Sequence, residues 1–296
     1  MLAIFGPTGV GKTALALAVA DRLRSRGEWP VAVSADALQV YQGLETLTGV
    51  PSLAERARLD HRLVGILPVD ARFSVGEYAE LAHAEIDGLL AQHARPIVVG
   101  GTGLYLRAAL AELDLRPAAP DEVRARWEAE LTRRGPEALH AQLARRAPWA
   151  AESVDPRDRS RIVRLLELDE LGELEAPSGP NQLWTEDTRH PTRLVGLVMD
   201  RDALYARIDA RVDAMVAAGA AREVRAAHAA GASETARKAL GFDELLAGDL
   251  EAMKRRTRNL ARRQLTWMRK LAGVEVVDVT GRAPQEIAER LFPNAK

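Results

Sequence analysis

Apolar positions follow two different periods along this chain. Leu2-Ala3-Ile4-Phe5 is a short continuous apolar run, and residues 13–26 then repeat their apolar positions with a helical period. Val31-Ala32-Val33-Ser34 reads as a second strand. Ser74-Val75-Gly76-Glu77 has the form of a capping box, with Phe73 and Tyr78 placed as a hydrophobic staple. The helix it opens is expected to run to about Gln92. Pro96-Ile97-Val98-Val99 is a β-branched run ending in Gly100-Gly101, and another helix is expected from about Gly103. Strands alternating with helices predict an α/β fold, a parallel sheet with helices on both faces.

The pattern then changes. Residues 122–134 stop at Gly135-Pro136, residues 137–147 stop at Pro148 and residues 157–171 stop at Gly172, all with helical periodicity. Pro177-Ser178-Gly179-Pro180 reads as a loop. The apolar run Arg193-Leu194-Val195-Gly196-Leu197-Val198-Met199 restores a strand. Residues 202–218, 220–230 and 250–271 look helical, 274–279 form a last strand, and 284–291 a last helix. The expected organisation is a core in two parts, 1–114 and 190–296, interrupted by an all-helical insertion at 115–189.

Composition narrows the class. At 296 residues with 47% hydrophobic positions the chain can bury a full core, and with aromatics at 4% it must do so with Leu, Val and Ala. Without cysteine there is neither a disulfide nor a thiolate zinc site, which fits a reducing compartment. The six histidines show no metal-ligand spacing. No apolar run reaches the roughly eighteen residues a membrane span needs. With no signal peptide expected ahead of a motif at residue 6, a cytoplasmic protein is expected. The net charge of −1 means that any affinity for nucleic acid must come from local basic surfaces.

Residues Gly6, Pro7, Thr8, Gly9, Val10, Gly11, Lys12 and Thr13 spell GPTGVGKT, matching G-x-x-x-x-G-K-[ST] between a strand and a helix. Backbone N–H groups at the helix start seat phosphate oxygens, Lys12 adds a point charge and Thr13 offers a hydroxyl to Mg²⁺. A P-loop NTPase-like core that binds a di- or triphosphate follows.

Asp36 lies just past the second strand, at the sheet end where ligands gather in such folds. It reads either as a group in the phosphate crevice or as a helix N-cap. Thr102 sits in Gly100-Gly101-Thr102-Gly103, where an NTPase of the common kind would place a Mg²⁺-binding Asp. It reads as a phosphate donor or as a plain cap, and the missing acid argues against ATP hydrolysis. Arg207 and Arg211 share a helix face and either snorkel outward or clamp a phosphate. Residues 254–270 hold eight Lys/Arg and no Asp or Glu, with Trp267 among them, and Arg157, Arg161 and Arg164 fall at helical spacing. Both stretches suit an RNA backbone, or are solvated faces. A P-loop kinase with a helical lid, and an RNA-binding protein with a nucleotide switch, both remain open on these residues.

Several segments, in order and spanning nearly the whole chain, resemble the tRNA dimethylallyltransferase (isopentenyl-tRNA transferase) family. They are GPTGVGKT, SADALQVY from Ser34, HRLVGI from His61, the element from Phe73 to Tyr78 and VVGGTGLYLRAAL from Val98. DRSRIVRLLE from Asp158, LYARIDARVDAM from Leu204, RKALGFDEL from Arg237 and RNLARRQLTWMR from Arg258 complete the set. The resemblance implies transfer of a dimethylallyl group from dimethylallyl diphosphate to N6 of the adenosine just 3′ of the anticodon. It implies a diphosphate on the P-loop, with Mg²⁺ at Thr13 as cofactor. Catalytic roles fall to Asp36 as general base and to Thr102 and Arg211 on the leaving diphosphate. Contacts to the tRNA anticodon stem-loop are implied for Asp36, Ala37, Leu38, Gln39, Thr102, Arg124, Ser160, Arg161, Ile162, Val163, Arg164, Arg237 and Lys238. A monomer without membrane association is expected. Two departures stand out: the family usually has Ser where this chain has Ala37, and a GTAKP-like segment where it has Leu47-Thr48-Gly49-Val50-Pro51.

Overall fold

Among the residues described by the computed structural model (1–116, 118–176 and 182–293), six strands form one sheet. They are β1 (Leu2–Phe5), β2 (Pro30–Ser34), β3 (His61–Arg62), β4 (Arg95–Gly100), β5 (Arg193–Val198) and β6 (Val274–Asp278). Their order is β3-β2-β4-β1-β5-β6, and every neighbouring pair is parallel. β1 and β2 are buried along their whole length, which is why they read as unbroken apolar runs rather than alternating ones. β6 closes one edge and is mostly exposed. β3 is an addition to the expected strands. Its two residues pair only with Ala32 and Val33, too short a stretch to carry a hydrophobic pattern.

The sheet order creates the crevice. β1 and β4 are neighbours, with Phe5 opposite Gly100. The chain leaves β1 towards β2 on one side and leaves β4 towards β5 on the other. Loops that diverge from adjacent parallel strands open a cleft at their carboxyl ends. One face of the sheet packs Leu2, Ile4, Ala32, Ile97, Val195, Leu197 and Val277 against Leu15, Val19 and Leu23 of the helix Lys12–Arg24 and Ile287 and Leu291 of the helix Pro284–Leu291. The intervening residues Ala3, Phe5, Val31, Val33 and Val98 are buried as well, so both faces are covered. Helix Val75–Ala91 packs on β2, β4 and the helix Gly103–Leu110. It starts at the expected capping box: Ser74 Oγ accepts from Glu77 N at 3.2 Å and Glu77 Oε2 accepts from Ser74 N at 2.8 Å.

The chain divides into two compact units, Met1–Leu113 with Gln182–Lys296, and Asp114–Asn181. The second unit holds the helices Asp121–Arg134, Pro136–Arg146, Pro148–Glu152 and Arg159–Glu170. Trp127, Leu131, Leu139, Leu143, Ala150, Ile162 and Leu166 form its own core. Pro148, expected only as a stop, also opens a short helix, because proline at the first helical position loses no hydrogen bond. The helix expected from Arg157 begins at Arg159, since Asp158 caps it by accepting from Arg161 N at 3.1 Å. This division groups residues 182–189, within the expected insertion, with the α/β unit. Residues Gln182–Arg189 are tied to the α/β unit by the buried Arg107, which donates to the carbonyls of Gln182 (2.9 Å) and Asp187 (3.0 Å). The Pro177-Ser178-Gly179-Pro180 loop lies outside the described residues.

Candidate active site

An open cavity of about 1340 Å³ in the α/β unit is lined by Thr8, Gly9, Gly11, Lys12, Thr13, Asp36, Thr102, Arg207, Arg211 and Gln264 among others. It lies over the loops that follow β1, β2 and β4. Gly6, Pro7 and Val10 are buried and do not line it. Lys12 Nζ donates to the carbonyls of Gly6 (2.9 Å) and Pro7 (3.0 Å), which curls the loop around its own lysine. Burial lowers the pKa of this ammonium to about 8; nearby Asp36 pulls it up and Arg211 pushes it down. Lysine, carboxylate and guanidinium therefore act on one another across a single site.

Asp36 is not a helix N-cap. No helix starts there, and its Oδ1 accepts from Leu38 N at 3.0 Å, closing a two-residue turn. Behind it stand Tyr41, Tyr78 and Tyr105, all buried. The rings of Tyr78 and Tyr105 lie 4.6 Å apart, and Tyr78 Oη donates to Ser34 O at 3.0 Å. Burial first, and then the charge of Asp36 among others, raises the pKa of Tyr78 and Tyr105, so both remain neutral. Leu38 and Gln39 line the cavity with Asp36, and Ala37 does not. The Gln39 side chain is already engaged: Oε1 accepts from Ser34 Oγ at 2.9 Å and Nε2 donates to Gly49 O at 3.2 Å.

Thr102 occupies the N-cap position of the helix Gly103–Leu110, yet its side chain makes no capping bond there. The plain-cap reading is thus set aside, and Thr102 lines the cavity. Arg207 does not snorkel away, because its Nε donates to Gly9 O at 3.0 Å. Arg211 lines the cavity beside the Leu47–Pro51 segment, and a Cβ on Gly49 would come within 1.8 Å of its guanidinium. That segment is held in place by Glu223, whose carboxylate accepts from Thr46 N (2.9 Å) and Leu47 N (3.0 Å). Lys238 lines the cavity and pairs with Glu234 at 3.6 Å. Arg237 is exposed, does not line the cavity, and donates to Asp243 at 3.4 Å.

The basic helix Leu250–Met268 is less free in charge than its sequence suggests. Lys254 pairs with Asp213, Arg258 with Asp209 and Arg256 with Glu244, so three of the six cations on this helix meet carboxylates from other elements. In the helical unit, Ser160 and Arg161 are exposed, but Ile162 and Val163 are buried in its core, so their side chains are unavailable to RNA. Arg124 (3.1 Å) and Arg164 (3.3 Å) converge on Glu167, a carboxylate only 1% exposed. Gln264 and Glu223 were not anticipated. The signal for Gln264 was present: an amide at helical spacing from Met253, Ala261 and Met268 sits on the buried face and demands partners.

Fold and site together define an α/β protein of P-loop-like fold, with the loop carrying Lys12 and Thr13 and the carboxylate-bearing Asp36 on one cavity. A family model described as IPP transferase matches residues 39–271, and one described as isopentenyl transferase matches residues 1–64. The chain is 40% identical to a tRNA dimethylallyltransferase of Kineococcus radiotolerans, over 99% of this chain and 95% of that one. It is 43% identical to one of Rhodospirillum centenum, over 91% and 88%. Among solved structures, the full-length tRNA isopentenylpyrophosphate transferase of Bacillus halodurans superposes with a TM-score of 0.69 at 31% identity, covering 98% of this chain and 94% of that one. The chain belongs to the tRNA dimethylallyltransferase (isopentenyl-tRNA transferase) family and is an enzyme of that family.

Proposed function

We propose that this enzyme transfers the dimethylallyl group of dimethylallyl diphosphate to N6 of the adenosine 3′-adjacent to the anticodon of tRNA. The observation that carries the reading is that Lys12, Asp36 and Arg211 line one cavity. It supports a diphosphate on the loop and an amine hydrogen-bonded to Asp36 meeting in the same cavity.

The N6 amine is a weak nucleophile because its lone pair is delocalised into the ring. Asp36 accepts a hydrogen bond from it and takes its proton as the C–N bond forms, help typically worth about 10²–10⁴ in rate. The allylic C–O bond breaks and its electron pair leaves with the diphosphate. Lys12, the N–H groups of the loop, Thr102 and Arg211 stabilise that growing negative charge. No group of three His, Asp or Glu able to hold a metal exists among the described residues. Thr13 lines the cavity, and its hydroxyl is a donor that fits Mg²⁺ held otherwise by phosphate oxygens and water. That ion would supply further neutralisation of the diphosphate.

The adenine must leave its stack to reach Asp36, which costs least in a single-stranded loop. Exposed Arg157, Ser160 and Arg161 of the helical unit serve as RNA contacts in this reading, as do the exposed Arg255, Arg262 and Arg263 of the helix Leu250–Met268. The test is incubation with dimethylallyl diphosphate and an anticodon stem-loop, followed by nucleoside mass spectrometry. A prenylated adenosine is expected. Unchanged adenosine together with release of ADP from ATP points to a kinase instead.

A further inference from the structure

The helix Leu250–Met268 lies directly on the two turns that meet at the cavity. Gln264, 8% exposed, bridges them. Its Oε1 accepts from Thr8 N at 2.8 Å, and its Nε2 donates to Gly101 O at 2.8 Å. One partner can only donate and the other only accept, so the amide has a single satisfied orientation. The bridge spans the switch point, joining the loop after β1 to the turn after β4.

The same helix fills the space on either side of Thr102. A Cβ on Gly101 would lie 2.5 Å from Gln264 Nε2, 3.2 Å from Lys12 Nζ and 3.3 Å from Gly6 O. A Cβ on Gly103 would lie 2.2 Å from the Trp267 ring. Both glycines are thus required by close approach, and Thr102 carries the one side chain between them. The other polar residue on this buried face, Thr257, satisfies its hydroxyl within its own helix, on Met253 O at 2.7 Å. An amide here instead spends both its hydrogen bonds on the backbone of the two ligand-facing turns.

We infer that Gln264 is a positioning residue for the transfer reaction. It sets the separation of the phosphate loop and Thr102 so that both address one diphosphate. This rests on the reading above that the P-loop and Thr102 hold that group.

The experiment uses the full chain and the variants Gln264→Met and Gln264→Glu, each alone and combined with Thr102→Val. Met keeps the length and apolar bulk but removes both bonds. Glu keeps the acceptor for Thr8 N–H and removes the donor to Gly101, and it serves as the second variant should Met fail to fold by circular dichroism and thermal melting. We expect kcat to fall on the order of 10–10²-fold in the single Gln264 variants, with KM for the stem-loop moving by less than about twofold. Pyrophosphate binding, read by calorimetry without any turnover, weakens in both. In the Thr102→Val background most of the kcat loss disappears, since the hydroxyl being positioned is already gone. The inference is overturned if Gln264→Met retains wild-type kcat and pyrophosphate affinity, or if its effect multiplies fully with that of Thr102→Val. A wild-type protein that yields no prenylated nucleoside refutes the proposed function instead. In that case the pyrophosphate measurement still decides whether Gln264 shapes the cradle.

Discussion

Gly49→Ala gives a sharp test of where Arg211 acts. Gly49 has φ 63°, and an added Cβ would lie 1.8 Å from Arg211 Nη2, 2.9 Å from its Cζ and 3.1 Å from Met215 Cε. Ordinary contact begins at 3.4 Å, so the guanidinium must retreat by about 1.6 Å, the difference between 3.4 and 1.8 Å. The helix Arg201–Ala217 cannot follow, because Leu204, Ile208 and Val212 anchor it in the core. The arginine head therefore shifts within the cavity. A displacement of about 1 Å in a group that stabilises the transition state can cost 10²-fold in rate. The left-handed backbone costs an alanine a further 1–2 kcal/mol or so of stability. Gly43→Ala is the control. Its φ is 79°, and nothing lies within 4 Å of the added carbon. Both variants should lose similar thermal stability, and only Gly49→Ala should lose turnover, by about 10²-fold, in steady-state prenylation of a stem-loop. Equal kcat in the two variants would mean that Arg211 takes no part in the transfer.

Asp36→Asn should bind the stem-loop normally and lose about 10²–10⁴ in kcat, and an unchanged rate removes Asp36 from proton transfer. Lys12 has its pKa lowered to about 8, so it is charged below that pH and neutral above it. Calorimetric affinity for pyrophosphate should therefore drop as pH rises through 8 in the wild type, beyond any drop seen in Lys12→Ala. The same shift makes folding stability rise with pH between about 8 and the ordinary lysine value, where the unfolded chain holds a proton that the folded chain has lost. Urea titrations of wild type and Lys12→Met check the sign. Glu167→Ala removes the carboxylate between Arg124 and Arg164 and should destabilise the helical unit by about 1.5–3 kcal/mol, read as a lowered midpoint in denaturant.

Local signals in the chain were enough for much of this molecule. The apolar runs at Leu2–Phe5 and Arg193–Val198 marked strands because each is buried on both faces and needs no partner to declare itself. The Ser74 capping box and the loop ending in Lys12 and Thr13 are equally self-contained, their chemistry lying within four to eight residues. Other features depend on what lies opposite in space. The pairing of β3 rests on β2, and the neutralisation of Lys254, Arg256 and Arg258 rests on acids 12 to 49 residues away in sequence. Whether Asp36 capped a helix or faced the phosphate loop could not be read from its neighbours. Neither could the bridge from Gln264 to Thr8, 256 residues earlier. Periodicity records which face of an element avoids water, so it specifies elements and their order. A hydrogen bond or ion pair between distant elements leaves no period behind. It exists only once the sheet has placed the ends of β1, β2 and β4 side by side.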